Sequence, residues 1–164
     1  NCRFFNSFGP GEVPGQYRNV IPNFIYWSME DKSLPLTGTG DETRDFTYVL
    51  DLVQGLIKAA FYEDAIGQAF NLASGKETRI KDMIAMVNKS TGNTTPITKF
   101  PPRKWDTKKR LLASIELAGK LIDYKPVISF EDGLNENFKW FSNNWDKVKL
   151  SADFPAGMSS AVRK

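Results

Sequence analysis

The sequence predicts an α/β chain, mostly helices with short strands, and two observations carry that expectation. Apolar residues recur at helical spacing in several separate stretches. Short apolar runs, bounded by glycine, proline or polar clusters, fall between them.

Taken in order, residues 3–6 are expected to form a strand that delivers Asn6 to its end. Residues 20 to about 31 read as a helix, with Pro22 tolerated in the first turn because no intrahelical partner is lost there. Residues 34–37 form a short strand, followed by a glycine-rich loop ending at Arg44. In the next helix, 48–61, Val49, Leu52, Val53, Leu56, Ile57 and Ala60 are spaced as one buried stripe. Residues 69–73 read as a buried strand. Ile80, Met83, Ile84 and Val87 mark another amphipathic helix, stopped near Gly92. A strand over 97–100 leads into a basic loop. Ser114 is expected to cap a helix running to Ile122, which ends before Pro126. Phe130, Leu134, Phe138, Phe141 and Trp145 then repeat at helical spacing as a core-facing stripe. Residues 1–149 are expected to form one domain around one hydrophobic core, and 150–164 a flexible tail.

Composition narrows the chemistry. A chain of 164 residues can bury roughly 70 % of its unfolded surface, enough for a real core. No apolar run approaches the ~20 residues of a membrane span, and no stretch has the pattern of a signal peptide. The single Cys2 leaves no internal disulfide framework and fits a reducing, cytoplasmic compartment. Histidine is absent. That excludes Ser-His-Asp and Cys-His nucleophilic schemes and removes the commonest zinc ligand, so no metal site is expected. A net charge of +3 is too mild to argue for nucleic acid.

Two segments carry charge in a suggestive setting. In the first, Thr37-Gly-Thr-Gly-Asp-Glu-Thr-Arg44 places one guanidinium after a polar glycine loop and before a rigid helix. Glycine permits close backbone approach to a ligand, and arginine grips phosphate in a two-pronged way. This reads as a phosphate-facing loop, although a Gly-x-Gly pair is also an ordinary turn. In the second, Lys99, Arg103, Lys104, Lys108, Lys109 and Arg110 surround Asp106. That pattern fits a solvated basic loop, a single-strand nucleic-acid patch using Phe100 and Trp105, or an anion site.

Three segments then occur in a telling order: Cys2-Arg-Phe-Phe-Asn-Ser-Phe-Gly-Pro-Gly11, Tyr17-Arg-Asn-Val-Ile-Pro-Asn-Phe24 and Pro35-Leu-Thr-Gly-Thr-Gly-Asp-Glu-Thr-Arg-Asp-Phe-Thr-Tyr-Val49. They resemble the nucleotide-sugar epimerases and dehydratases of the extended short-chain dehydrogenase/reductase superfamily, UDP-sugar 4-epimerases and UDP-glucuronate decarboxylases among them. The resemblance runs from Asn1 to about Trp145 and covers the C-terminal, substrate-binding half of such an enzyme.

The resemblance implies a set of roles. Arg44, and Arg103 with Asp106, would hold the diphosphate and ribose of a UDP- or dTDP-sugar. Asn6 would hydrogen-bond substrate, although it could equally satisfy backbone at a strand end. Asn19 and Val20 would offer backbone N–H groups to phosphate, with simple N-capping as the alternative reading of Asn19. Pro35 and Thr37 would line the base pocket, where Thr37 replaces a common aromatic residue. Phe5 would touch the nicotinamide side of NAD, or serve only as packing.

The family's glycine-rich dinucleotide turn and its catalytic Tyr-x-x-x-Lys pair have no counterpart in this sequence. No catalytic residue is therefore assigned. The chain reads as a fragment, inactive alone, with the NAD-binding Rossmann half missing. Its docking face, beginning with Phe4 or Phe5, is expected to be exposed and prone to self-association. A stand-alone binding module for anionic ligands or single-stranded nucleic acid is the alternative.

Overall fold

The computed structural model describes residues 1–102, 107–152 and 154. Its strands are short: β1 Cys2–Phe4, β2 Asn6–Phe8, β3 Pro35–Thr37, β4 Thr43–Arg44, β5 Phe46–Tyr48, β6 Phe70–Leu72, β7 Thr78–Arg79 and β8 Thr98–Phe100. The helices are α1 Val20–Met29, α2 Val49–Phe61, α3 Ile80–Thr91, α4 Glu116–Ile122, α5 Phe130–Asn143 and α6 Trp145–Ser151. The predicted α/β alternation is present.

The strands pair in twos. β1 runs parallel to β6, β2 to β5 and β3 to β8, while β4 is antiparallel to β7. Parallel partners need a long crossover, and helices supply it. The expected strand over 3–6 is instead two strands broken at Phe5. Its first part pairs with β6 and its second with β5, the two strands that flank α2. One ladder cannot serve both partners, so the chain shifts between them at Phe5. Arg44, expected in a loop, lies in β4 opposite Thr78.

Among the described residues, buried apolar side chains form two clusters, not the single core expected. The larger joins Phe8, Ile21, Ile25, Leu34, Met83, Ile84, Leu134 and Phe141; the smaller joins Phe70, Leu72, Ala118, Ile122 and Tyr124. Phe8 meets Tyr48 edge-on at 5.7 Å between ring centroids. Gly133 of α5 makes this packing possible, because a Cβ there would lie 2.7 Å from Tyr48 Cδ2. Burying one such ring stabilises the fold by about 1.5–3 kcal/mol.

Helix α2 overturns the expected buried stripe. Its inward face is Asp51, Leu52 and Gly55, whereas Leu50, Val53, Leu56, Ile57 and Phe61 are exposed. Two features draw the small polar face inward. A Cβ at Gly55 would come within 2.8 Å of both Leu72 and Tyr124, so only glycine lets the helix approach this closely. The Asp51 carboxylate accepts the N–H groups of Val127 at 3.0 Å and Ile128 at 2.9 Å. The period was helical, but the larger apolar face is the open one.

Three helix ends complete the comparison. α3 stops at Gly92, whose φ of 77° is left-handed, as its sequence position predicts. Ser114 does not cap α4; its carbonyl accepts from Asn71, and the cap position is Ile115. The aromatic stripe of 130–145 spans two helices, because the backbone breaks at Asn144. Beyond Lys149, α6 continues to Ser151 and the Phe154 ring lies 5.5 Å from Tyr26 and 5.3 Å from Trp27.

Candidate functional site

Strand β2 begins at Asn6, and register with β5 places Asn6 opposite Phe46. From there its side-chain Nδ2 donates to the carbonyl of Asp45 at 3.2 Å. Asn6 therefore reaches the residue that follows Arg44, although 39 positions separate Asn6 from Asp45 in sequence. A cleft of about 390 Å³ opens here, lined by Phe4, Phe5, Asn6, Ser7, Asn19 and Leu111. Three of the expected site residues, Phe5, Asn6 and Asn19, thus share one wall.

Arg44 does not line that cleft but is tied to its rim. Its Nη1 donates to the Thr43 carbonyl at 2.8 Å, and the N–H of Leu111 donates to the same oxygen at 3.1 Å. Thr43 N–H in turn donates to the Lys109 carbonyl at 2.9 Å. The stretch that follows the basic loop is thereby laced along β4. A charged clamp reinforces it: Arg110 donates to both oxygens of Glu77 at 2.8 Å, and Thr43 Oγ1 donates to Glu77 at 2.7 Å. The hydrogen bonds from Arg110, and then from Thr43, hold the Glu77 carboxyl down at about 2.

The glycine loop departs from the phosphate-facing reading. Gly38 and Gly40 adopt left-handed φ of 81° and 83°, so glycine is required there. The loop's amides, however, turn inward to Glu42. Its carboxylate accepts from Gly40 N–H at 2.8 Å and from Thr39 N–H at 3.4 Å. An internal carboxylate occupies the amides a ligand would have used. Of that motif, Arg44 is the residue tied to the cleft's rim, through the Thr43 carbonyl that it shares with Leu111.

At the head of α1, Glu12 Oε1 accepts from Asn19 Nδ2 at 2.9 Å. Asn19 is the N-cap position but makes no side-chain cap bond, and Val20 opens the helix. Pro35 and Thr37 lie apart from the cleft on β3, where they pair with Thr98 and Phe100 of β8. Arg103 and Asp106 lie outside the described residues.

Sequence reasoning missed Ser7, Leu111, Glu12 and Asp45. Asp45 is fully buried directly after Arg44, and a carboxylate leading into the apolar Phe46–Tyr48 run was a readable sign of an internal anchor. Ser7, Glu12 and Leu111 carried none.

No helix among the described residues is long and apolar enough to cross a membrane. No cluster of His, Cys, Asp and Glu among them could hold a metal ion.

Comparison with known proteins fits this geometry. The sequence model of the NAD dependent epimerase/dehydratase family matches residues 1–73. The structure of an epimerase from Methanothermobacter thermautotrophicus is 51 % identical, with a TM-score of 0.92 over 94 % of this chain and 46 % of its own. The UDP-glucuronic acid 4-epimerase of Bacillus cereus, solved with UDP-glucuronic acid and NAD, is 30 % identical, with a TM-score of 0.75 over 87 % of this chain and 44 % of its own. The UDP-N-acetyl-alpha-D-glucosaminuronate decarboxylase of Bacillus cytotoxicus is 31 % identical over 85 % of this chain and 44 % of its own length. The chain spans less than half the length of each of these relatives. By sequence over residues 1–73, and by fold over most of its length, the chain is similar to the NAD dependent epimerase/dehydratase family.

Proposed function

We propose that this chain is the substrate-binding portion of an NAD-dependent nucleotide-sugar epimerase, dehydratase or decarboxylase, working in the cytoplasm on a UDP- or dTDP-sugar. The observation that carries this reading is the cleft shared by Phe5, Asn6 and Asn19, where the Asn6 amide donates to the carbonyl of Asp45, the residue after Arg44. Arg44, together with Arg103 and Asp106, holds the diphosphate and ribose. Asn6 donates to the sugar, and Asn19 with Val20 supplies polar groups at the head of α1. Pro35 and Thr37 border the base. Gripping this non-reacting handle positions the sugar for chemistry elsewhere in the complex.

The residues present fit only one edge of NAD. Phe5 lines the cleft, where an aromatic ring can flank a nicotinamide. The glycine nearest to it in the following loop, Gly9, is committed to packing, since a Cβ there would collide with Val49. Reversible hydride exchange with the sugar is the chemistry NAD supplies when bound. The rest of its pocket belongs to a Rossmann half that docks on the open face of α2 and on Phe4, which is 51 % exposed. The relatives' greater length supports that assignment.

Titration of the chain with UDP-glucose, dTDP-glucose and a short oligonucleotide tests the reading. A diphosphate nucleotide should bind in preference to the oligonucleotide, and binding should depend on Arg44. The chain alone, given NAD, should turn over neither sugar. Preference for the oligonucleotide with a steep salt dependence would replace this reading with a nucleic-acid one.

A further inference from the structure

Buried Asp45 is the hub on which four separated segments meet, through its carboxylate and its backbone carbonyl. It is fully shielded from solvent, and each carboxylate oxygen has more than one donor. Oδ1 accepts from Ser74 N–H at 2.9 Å and from Ser74 Oγ at 2.6 Å. Oδ2 accepts from Gly75 N–H at 3.0 Å and from Ala113 N–H at 3.3 Å. Its backbone carbonyl takes the Asn6 amide at 3.2 Å. Arg44 precedes it directly, and Leu111 of the cleft wall is two residues from Ala113.

A buried charge is costly unless donors surround it, so an anchor of this kind is kept in one geometry once formed. That geometry fixes three things at once. It sets where β4 ends, and hence where the Arg44 guanidinium starts. It sets the direction of the Asn6 amide. It also sets the distance from both to the wall at Leu111. A neutral amide cannot replace it: whichever way it is turned, an NH2 group would face two N–H or O–H donors.

We propose that Asp45 is the positioning residue of the nucleotide-sugar site, holding Arg44 and Asn6 at a fixed separation from the 111–113 wall. This rests on the nucleotide-sugar reading given above. Asp45 itself touches no ligand; it acts through Arg44 and Asn6.

The test measures UDP affinity by calorimetry alongside thermal melting, for the full chain and for Asp45→Asn, Arg44→Ala and the double variant. Asp45→Asn should weaken UDP binding about tenfold or more well below its melting temperature, the scale of one lost charge-assisted bond. In the Arg44→Ala background the same change should cost clearly less than in the parent, leaving only the part that runs through Asn6; an undiminished effect would overturn the proposal. Should Asp45→Asn melt lower yet bind UDP like the parent, Asp45 is a structural anchor only and the proposal is overturned. If Asp45→Asn does not fold, Ser74→Ala carries the test. It removes a single donor and should weaken UDP a few-fold; unchanged affinity there also overturns the proposal. Failure of the underlying reading looks different: the parent chain would then show no UDP binding that Arg44→Ala alters.

Discussion

Glu12 occupies the amide of Asn19, its Oε1 lying 2.9 Å from Nδ2 at the head of α1. On the proposed reading an incoming diphosphate is drawn to the same place, because the free N–H groups of a helix start favour negative charge. An arriving anion must push Glu12 aside or share its donors. Glu12→Gln should therefore tighten UDP binding by about 0.3–1 kcal/mol, the usual worth of one charge at a helix terminus. Calorimetric titration checks this. Equal or weaker affinity in the variant would remove Asn19 and Val20 from the diphosphate site.

Arg44 and Arg103 are assigned to the diphosphate. Alanine at either position should cost substrate binding about 1.5–3 kcal/mol, the range for hydrogen bonds to charged groups. Lysine should restore only part of that, since a point charge lacks the fork. Arg44→Lys carries a second penalty: Nη1 also donates to the Thr43 carbonyl, which a lysine reaching for phosphate would leave to Leu111 alone. Unchanged affinity in both alanine variants would sink the assignment.

The Glu77–Arg110 clamp makes the site's framework sensitive to acid. Hydrogen bonds from Arg110 and Thr43 lower the Glu77 pKa from its ordinary 4.5 to about 2. A lowered carboxyl pKa means the folded state favours the charged form. Its stabilisation is therefore complete above pH 4.5 and is lost as pH falls toward about 2. Glu77→Gln should melt below the parent at pH 7, with the gap closing as the buffer approaches pH 2. The gap should also shrink in high salt, because the pair is solvent-facing. A gap that ignores pH would assign the effect to lost packing instead.

How much of this was legible depended on the distance over which each feature is decided. Local rules located α1, α2 and α3, and the left-handed Gly92 that ends α3, because spacing and backbone freedom act within a few residues. Arg44 was expected in a loop and lies in β4; its pairing with Thr78 and the bond from Leu111 to the neighbouring Thr43 carbonyl were not legible, since those partners lie far away in sequence. The same holds for Phe5, where the strand breaks only because β5 and β6 are both in reach. The burial side of α2 failed for a different reason. Periodicity reports that an apolar face exists, not what covers it, and here Gly55 and Asp51 decided which side turned inward.

That open face carries the last prediction. Leu50 is 61 % exposed, Ile57 56 % and Phe61 82 %, and β1 beside them leaves Phe4 51 % exposed. The sequence anticipated exposure at Phe4 or Phe5; the larger apolar surface proves to be α2, and Phe5 is half-buried. Covering a single one of these side chains yields about 1.5–3 kcal/mol, so several together give a strong drive to associate. The chain should self-associate at micromolar concentration in sedimentation velocity or light scattering. Ile57→Lys with Phe61→Lys should return it to monomers without lowering its melting temperature, since neither side chain is buried in the folded monomer. The same double change, made in one of the longer relatives, should instead disrupt folding if a Rossmann half covers this face there, as proposed. A parent chain that stays monomeric at high concentration, with α2 protected from hydrogen exchange, would mean this face is stable in water and would count against a docking Rossmann half.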